Sequence, residues 1–168
     1  MRIDLSQKNI YICESQSNAI AMKKLIVLFA ITLSLTSCGS NKVAFTSNMK
    51  QSIDSRQFVV NVNNAYPTGG KMVILTSMYS FKVKNDSAFS YLPYYGRAYS
   101  LPYGGGKGLI FNDKIKDYNQ KYTKKGSSEI DVNVANDEDN YRFFILLYPN
   151  GTASITMNCN NRQSISFT

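Results

Sequence analysis

Tyr141-Arg142-Phe143-Phe144-Ile145-Leu146-Leu147-Tyr148-Pro149-Asn150-Gly151-Thr152-Ala153-Ser154-Ile155-Thr156-Met157-Asn158-Cys159 reads as two strands joined by a turn. Tyr141 to Tyr148 is the most apolar strand of the chain, as suits one inside a sheet. Asn150-Gly151 is its strongest hairpin signal, because both residues tolerate the positive φ of a type I′ turn. Ala153 to Cys159 then returns, which makes the pair antiparallel. Downstream, Asn160-Asn161 turns the chain into a last short strand, Gln163 to Thr168.

Upstream the same period of two recurs. Ile130, Val132 and Val134 alternate after a Gly126-Ser127-Ser128 turn, and Asn136 to Asn140 forms an acidic turn exposed to solvent. Tyr118, Gln120 and Tyr122 alternate in a strand of their own, preceded by another at Lys107 to Phe111. Ala88 to Leu92, the run Met72 to Leu75 with Tyr79, Phe81 and Val83, and the set Phe58, Val60 and Val62 complete the strands. Asn85-Asp86 and Pro67-Thr68-Gly69-Gly70 turn between them. Before the first strand, Ser47 caps a short helix, Asn48 to Ser55, with Met49 and Ile53 on one face. Short connections between about eight strands favour an antiparallel meander. The expected fold is all-β and barrel-like, with a two-sheet sandwich as the alternative and one short N-terminal helix.

The N-terminus carries an address. Lys23 and Lys24 precede the apolar run Leu25 to Leu35, and Leu35-Thr36-Ser37-Cys38 resembles a bacterial lipobox. The run falls short of the about 20 apolar residues that a membrane-spanning helix needs. Export, cleavage before Cys38 and acylation of that cysteine are therefore expected, with Met22 as the working start. An ordinary secretory signal is the alternative. Residues 1–37 are then presequence and signal, 38–46 a tether, and 47–168 a single β domain. Removing residues 1–37 leaves 131 residues, and takes away four basic and two acidic side chains, so the formal charge falls from +8 to +6. A domain of that length can bury a core without metals or disulfides. Gly39 stands where an aspartate favours inner-membrane retention in some bacteria, and no acidic run follows Cys38. The expected location is the periplasmic face of the outer membrane. A nucleic-acid partner is not expected in that compartment, and no basic helical face or binding motif calls for one.

The chemistry this chain can perform is narrow. It contains no histidine, and Cys159 is the one cysteine left once Cys13 is removed and Cys38 acylated. Zinc, copper and haem lose their usual donors. Asp137-Glu138-Asp139 matches no calcium-loop spacing and reads as a solvated hairpin tip. Gly104-Gly105-Gly106-Lys107-Gly108 lacks the Ser or Thr of a phosphate loop, and strand-like residues follow it where a helix is required. Cys159 lies in a strand and reads as a small buried hydrophobe. The other acids, Asp54, Asp86, Asp113, Asp117, Glu129 and Asp131, flank turns or point outward on strands. No catalytic residue, metal site or cofactor is expected.

One segment could recognise a partner. Pro93 to Gly108 is irregular, and Tyr91-Leu92-Pro93-Tyr94-Tyr95-Gly96-Arg97-Ala98-Tyr99 sets four tyrosines around one arginine. Pro93 stiffens the entry, and Gly96 holds a backbone position closed to other residues. Tyr94, Tyr95 and Tyr99 offer broad surface with a hydroxyl, and Arg97 can stack on them or fork to a carboxylate. A protein or glycan contact would use such a set. Equally, the tyrosines could cover an open barrel end while Arg97 bonds backbone carbonyls.

Tyr91-Leu92-Pro93-Tyr94-Tyr95-Gly96-Arg97-Ala98-Tyr99, then Gly108-Leu109-Ile110-Phe111, Asn150-Gly151-Thr152-Ala153 and Arg162-Gln163-Ser164-Ile165-Ser166-Phe167, resemble domain-of-unknown-function family 4251. The likeness covers Ser47 to Thr168. It implies a small Gram-negative envelope protein built as a signal, a short helix and a β domain, with no assigned activity and no catalytic residue to carry over. The expected function is a non-enzymatic envelope lipoprotein, held by acylated Cys38, that binds a protein, glycan or lipid-like partner. A small-ligand carrier with a hollow barrel and an envelope hydrolase working through facing carboxylates are the alternatives.

Overall fold

The computed structural model describes residues 44–100 and 108–168. Helix α1 (Ser47–Asp54) precedes strands β1 (Gln57–Pro67), β2 (Val73–Lys84), β3 (Ser87–Leu92), β4 (Leu109–Tyr122), β5 (Ser128–Ala135), β6 (Asn140–Leu147), β7 (Ala153–Cys159) and β8 (Ile165–Phe167). Each strand pairs antiparallel with the next, and β8 returns to β1, so the meander closes into a barrel. The decisive pair is Ala65 with Phe167. Closure removes most of the exposed edge that a sandwich would leave. Cys38, Met22 and the rest of residues 1–43, and the glycines 104–106 with Lys107, lie outside the described residues. Among the described residues no helix is long and apolar enough to cross a membrane.

The interior follows the alternation of the strands. Ile130, Val132 and Val134 of β5 face Tyr141, Phe143 and Ile145 of β6, all buried. Phe81 and Phe143 pack with ring centroids 4.5 Å apart, and Phe111 stacks on Tyr141 at 4.9 Å. These rings pack against one another within the hydrophobic core.

Three local expectations are corrected. Thr46, not Ser47, caps the helix, its hydroxyl accepting the Met49 N–H at 3.4 Å. The two strands expected at 107–111 and 118–122 are one, β4, interrupted by a bulge between Ile115 and Asp117. The extra residue moves the inward face from odd positions (Leu109, Phe111) to even ones (Tyr118, Gln120), which imitates a chain break in the sequence. The Asn150-Gly151 hairpin forms, but only Gly151 has positive φ, at 85°. Pro149 imposes negative φ at the first turn position, so Gly151 N–H bonds the Tyr148 carbonyl at 3.0 Å and Tyr148 N–H bonds the Thr152 carbonyl at 2.9 Å. That is a type I turn with a glycine bulge.

Helix α1 is bound to the barrel wall. Ile53 is buried, the Asp54 carboxylate accepts the Tyr122 hydroxyl at 2.6 Å and Gln120 Nε2 at 3.2 Å, and the Arg56 guanidinium sits 4.5 Å from the Tyr118 ring centroid. The aromatic loop leaves the barrel from the opposite end.

Candidate functional site

β3 ends at Leu92, buried in the core, and Pro93 starts the loop. Tyr94 then folds back over the barrel end. Its hydroxyl lies 2.9 Å from the carbonyls of both Arg97 and Gln163, so one proton serves two acceptors. Burial pushes this phenol above its ordinary value, the largest of several effects. Gly96 is required for space rather than for φ: a Cβ there would stand 2.6 Å from Tyr94 Cζ. The expectation of a backbone conformation closed to other residues is corrected accordingly, since Gly96 is not among the positive-φ glycines.

The rest of the loop is stitched to the β7–β8 connection. Arg97 N–H donates to Gln163 Oε1 at 3.1 Å, and Gln163 N–H donates to the Arg97 carbonyl at 2.9 Å. Ala98 pairs with Arg162 as an isolated antiparallel bridge, and Tyr99 N–H reaches the Asn161 carbonyl at 2.7 Å. Thus the Arg97 backbone is engaged while its side chain, with those of Tyr95 and Tyr99, is exposed. Tyr95 is 45% and Tyr99 66% exposed. The structure therefore divides the four predicted residues: Tyr94 is a structural anchor, and Tyr95, Arg97 and Tyr99 project from an ordered base.

Beneath the loop lies a polar cluster that sequence reasoning missed. Arg162 is 4% exposed, its Nη2 donates to Glu138 Oε2 at 3.2 Å, and its guanidinium sits 5.7 Å from the Tyr94 ring centroid. Asp139 is 6% exposed, and its carboxylate accepts the backbone N–H of Asn140 at 2.8 Å, Asn160 at 3.3 Å and Asn161 at 3.1 Å. Asn136 Oδ1 caps the N–H groups of Glu138 and Asp139 at 3.0 and 3.1 Å. The acidic triplet is thus no solvated tip. Asp137 alone points to water, while Glu138 and Asp139 hold the β7–β8 connection that in turn holds the loop. A buried carboxylate must find such donors, because isolation from water is costly. No local signal distinguishes Glu138 from Asp137, since its partner lies far along the chain.

Cys159 is half-buried at the edge of this cluster. Burial first, then the Asp139 charge, raises its thiol from 9.0 to about 11. It stays protonated at neutral pH and is a poor nucleophile. Among the described residues no group of His, Cys, Asp and Glu could hold a metal ion.

A family model described as "Domain of unknown function (DUF4251)" matches residues 41–168. The chain belongs to this family. A crystal structure of a DUF4251 family protein from Bacteroides eggerthii DSM 20697 is similar over 70% of this chain and 80% of that one, with a TM-score of 0.53 at 18% identity. At that identity the likeness shows a shared fold. No curated protein matches the chain.

Proposed function

We propose that this DUF4251 protein is a non-enzymatic lipoprotein of the bacterial envelope that presents Tyr95, Arg97 and Tyr99 to a protein or glycan partner. The observation that carries the reading is the contrast within the loop. Its backbone is fixed by Tyr94, Gln163 and Asn161, yet three large recognition side chains are left outside. Ordering such side chains before contact lowers the entropy cost of binding. Aromatic residues and arginine are the types enriched in contact cores.

The anchor is the acylated Cys38. Two or more acyl chains, at about 0.8 kcal/mol per buried CH₂, hold a protein firmly where a single chain binds reversibly. The periplasmic face of the outer membrane is the proposed site. Against catalysis stand the commitments of the acids: Asp54 to Tyr122, Glu129 to Lys121, Asp131 to Arg142, Glu138 to Arg162 and Asp139 to three backbone amides. A place to test the hydrolase alternative is an open hollow of about 340 Å³ lined by Asp113, Asp137 and Glu138. There Asp113 accepts Asn136 Nδ2 at 2.9 Å.

The test is affinity purification of the lipidated protein from envelopes, comparing wild type with Tyr95→Ala and Arg97→Ala. Loss of a reproducible partner from both variants, at unchanged melting temperature, is expected. Identical partner sets across all three would overturn the reading. Blocking lipoprotein signal cleavage should leave the protein at the larger precursor mass in place of the mature one, and an unchanged size would remove the anchor.

A further inference from the structure

The barrel carries a second feature at the end away from the aromatic loop. β1 pairs with β2 from Gln57 onward, but with β8 only over Ala65–Pro67. β7 pairs with β6 from Ala153, but with β8 only over Ile155–Met157. β7 reaches only two residues past this pairing, to Ala153, so beyond β8 the free edge of β1 borders an open slot beside the β6–β7 hairpin. Asn63 and Asn64 both donate N–H to the Thr168 carbonyl, at 2.8 and 3.0 Å, and Thr168 N–H returns to Asn64. This bulge ends the ladder. Strand alternation before it directs the N–H and C=O groups of Asn61, Val59 and Gln57 into the slot. Among the described residues no strand pairs with them there.

The slot opens into a cleft of about 890 Å³ whose floor includes Ile53, Phe58, Val60 and Leu147. Lys82 and Lys84 stand on its rim, and no aspartate or glutamate is among the described lining residues. A row of backbone donors and acceptors above an apolar floor fits a polypeptide, since an acyl chain offers such groups no partner. The lysines oppose a second copy of this basic chain, as edge lysines do elsewhere, and favour an acidic partner.

We propose that the slot takes an extended segment of a partner protein as an added strand antiparallel to β1, with apolar residues facing the floor and acidic residues facing out. Six residues, at about 3.3 Å each, match the open length of Gln57 to Val62. Main-chain bonds to Gln57, Val59 and Asn61 supply affinity, and the floor and lysines supply selectivity. This surface is independent of the aromatic loop, so either proposal can fail alone.

The test titrates the full-length protein against a fluorescein-labelled peptide, Val-Glu-Val-Glu-Val-Thr, by anisotropy. One control peptide replaces Glu with Lys. A second is N-methylated at the backbone nitrogens that would face β1. Saturable binding is expected, weakened about tenfold or more by Lys82→Glu with Lys84→Glu, by N-methylation and by the Lys peptide. Both lysines are exposed, and an unchanged melting curve will show that the variant folds. Absent binding, equal binding of all three peptides, or a dimer in sedimentation that the peptide does not dissociate would each overturn the proposal.

Discussion

Arg162→Met tests whether the acidic turn holds the aromatic loop. The substitution keeps the bulk of the side chain and removes its charge. The Arg162 side chain is 3% exposed and the Glu138 side chain 24%. Breaking a fully buried pair costs about 3–5 kcal/mol, because the survivor is left charged and dry. Here Glu138 can regain part of its hydration, and Arg162 already leaves Nε without a hydrogen bond. The expected loss is therefore smaller, about 2–3 kcal/mol. For a domain of this size that corresponds to a fall in melting temperature of roughly 6–12 °C. Thermal and urea unfolding of Arg162→Met, Glu138→Gln and the double variant will measure it. The double variant should lose less than the sum of the singles, by about 1 kcal/mol or more. A loss under about 0.5 kcal/mol for Arg162→Met, or strict additivity, would refute the strut.

Two further outcomes follow from the same cluster. Tyr94→Phe removes the proton shared by the Arg97 and Gln163 carbonyls and should cost about 1–2 kcal/mol. Faster amide exchange at Gln163 and Tyr99 should accompany it, whereas Tyr99→Ala should stay within about 0.5 kcal/mol of wild type. Cys159 should resist alkylation at pH 8 when folded and react quickly in denaturant, because burial and the Asp139 charge raise its thiol from 9.0 to about 11. The raised value stabilises the fold fully below the unfolded value and loses that contribution as pH climbs toward 11. Tyr118, Tyr122 and Tyr141, raised by burial from 10.0 to about 12, extend the loss upward. Urea midpoints should be flat between about pH 7 and 8 and decline above about pH 9; a midpoint that rises there would contradict the assignment.

The parts legible in the sequence were those with local causes. Alternation placed Val60, Val62, Phe81, Ile130 and Val132 on the faces that prove to be inner, and i, i+4 spacing placed Ile53 under the helix. The expected barrel forms, although no periodicity encodes the Ala65–Phe167 pair that closes it. Failures began where the cause lies far along the chain. The bulge in β4 reversed the phase of alternation and looked like a second strand. The Asn150-Gly151 turn was overruled by its neighbour Pro149. At the loop, residue type singled out Tyr94, Tyr95, Arg97 and Tyr99 together, but only the fold separates the anchor from the exposed three. Glu138, Asp139 and Arg162 were invisible because an acid in a turn looks solvated until its donors are brought to it.

The most direct measurement places a photo-activatable phenylalanine at Tyr95 in living cells, with Ile74, also exposed, as the control position. A discrete crosslinked adduct from position 95 alone, abolished by Arg97→Ala, is the predicted result. No adduct, or the same adduct from both positions, would contradict the proposal that this loop is a recognition surface.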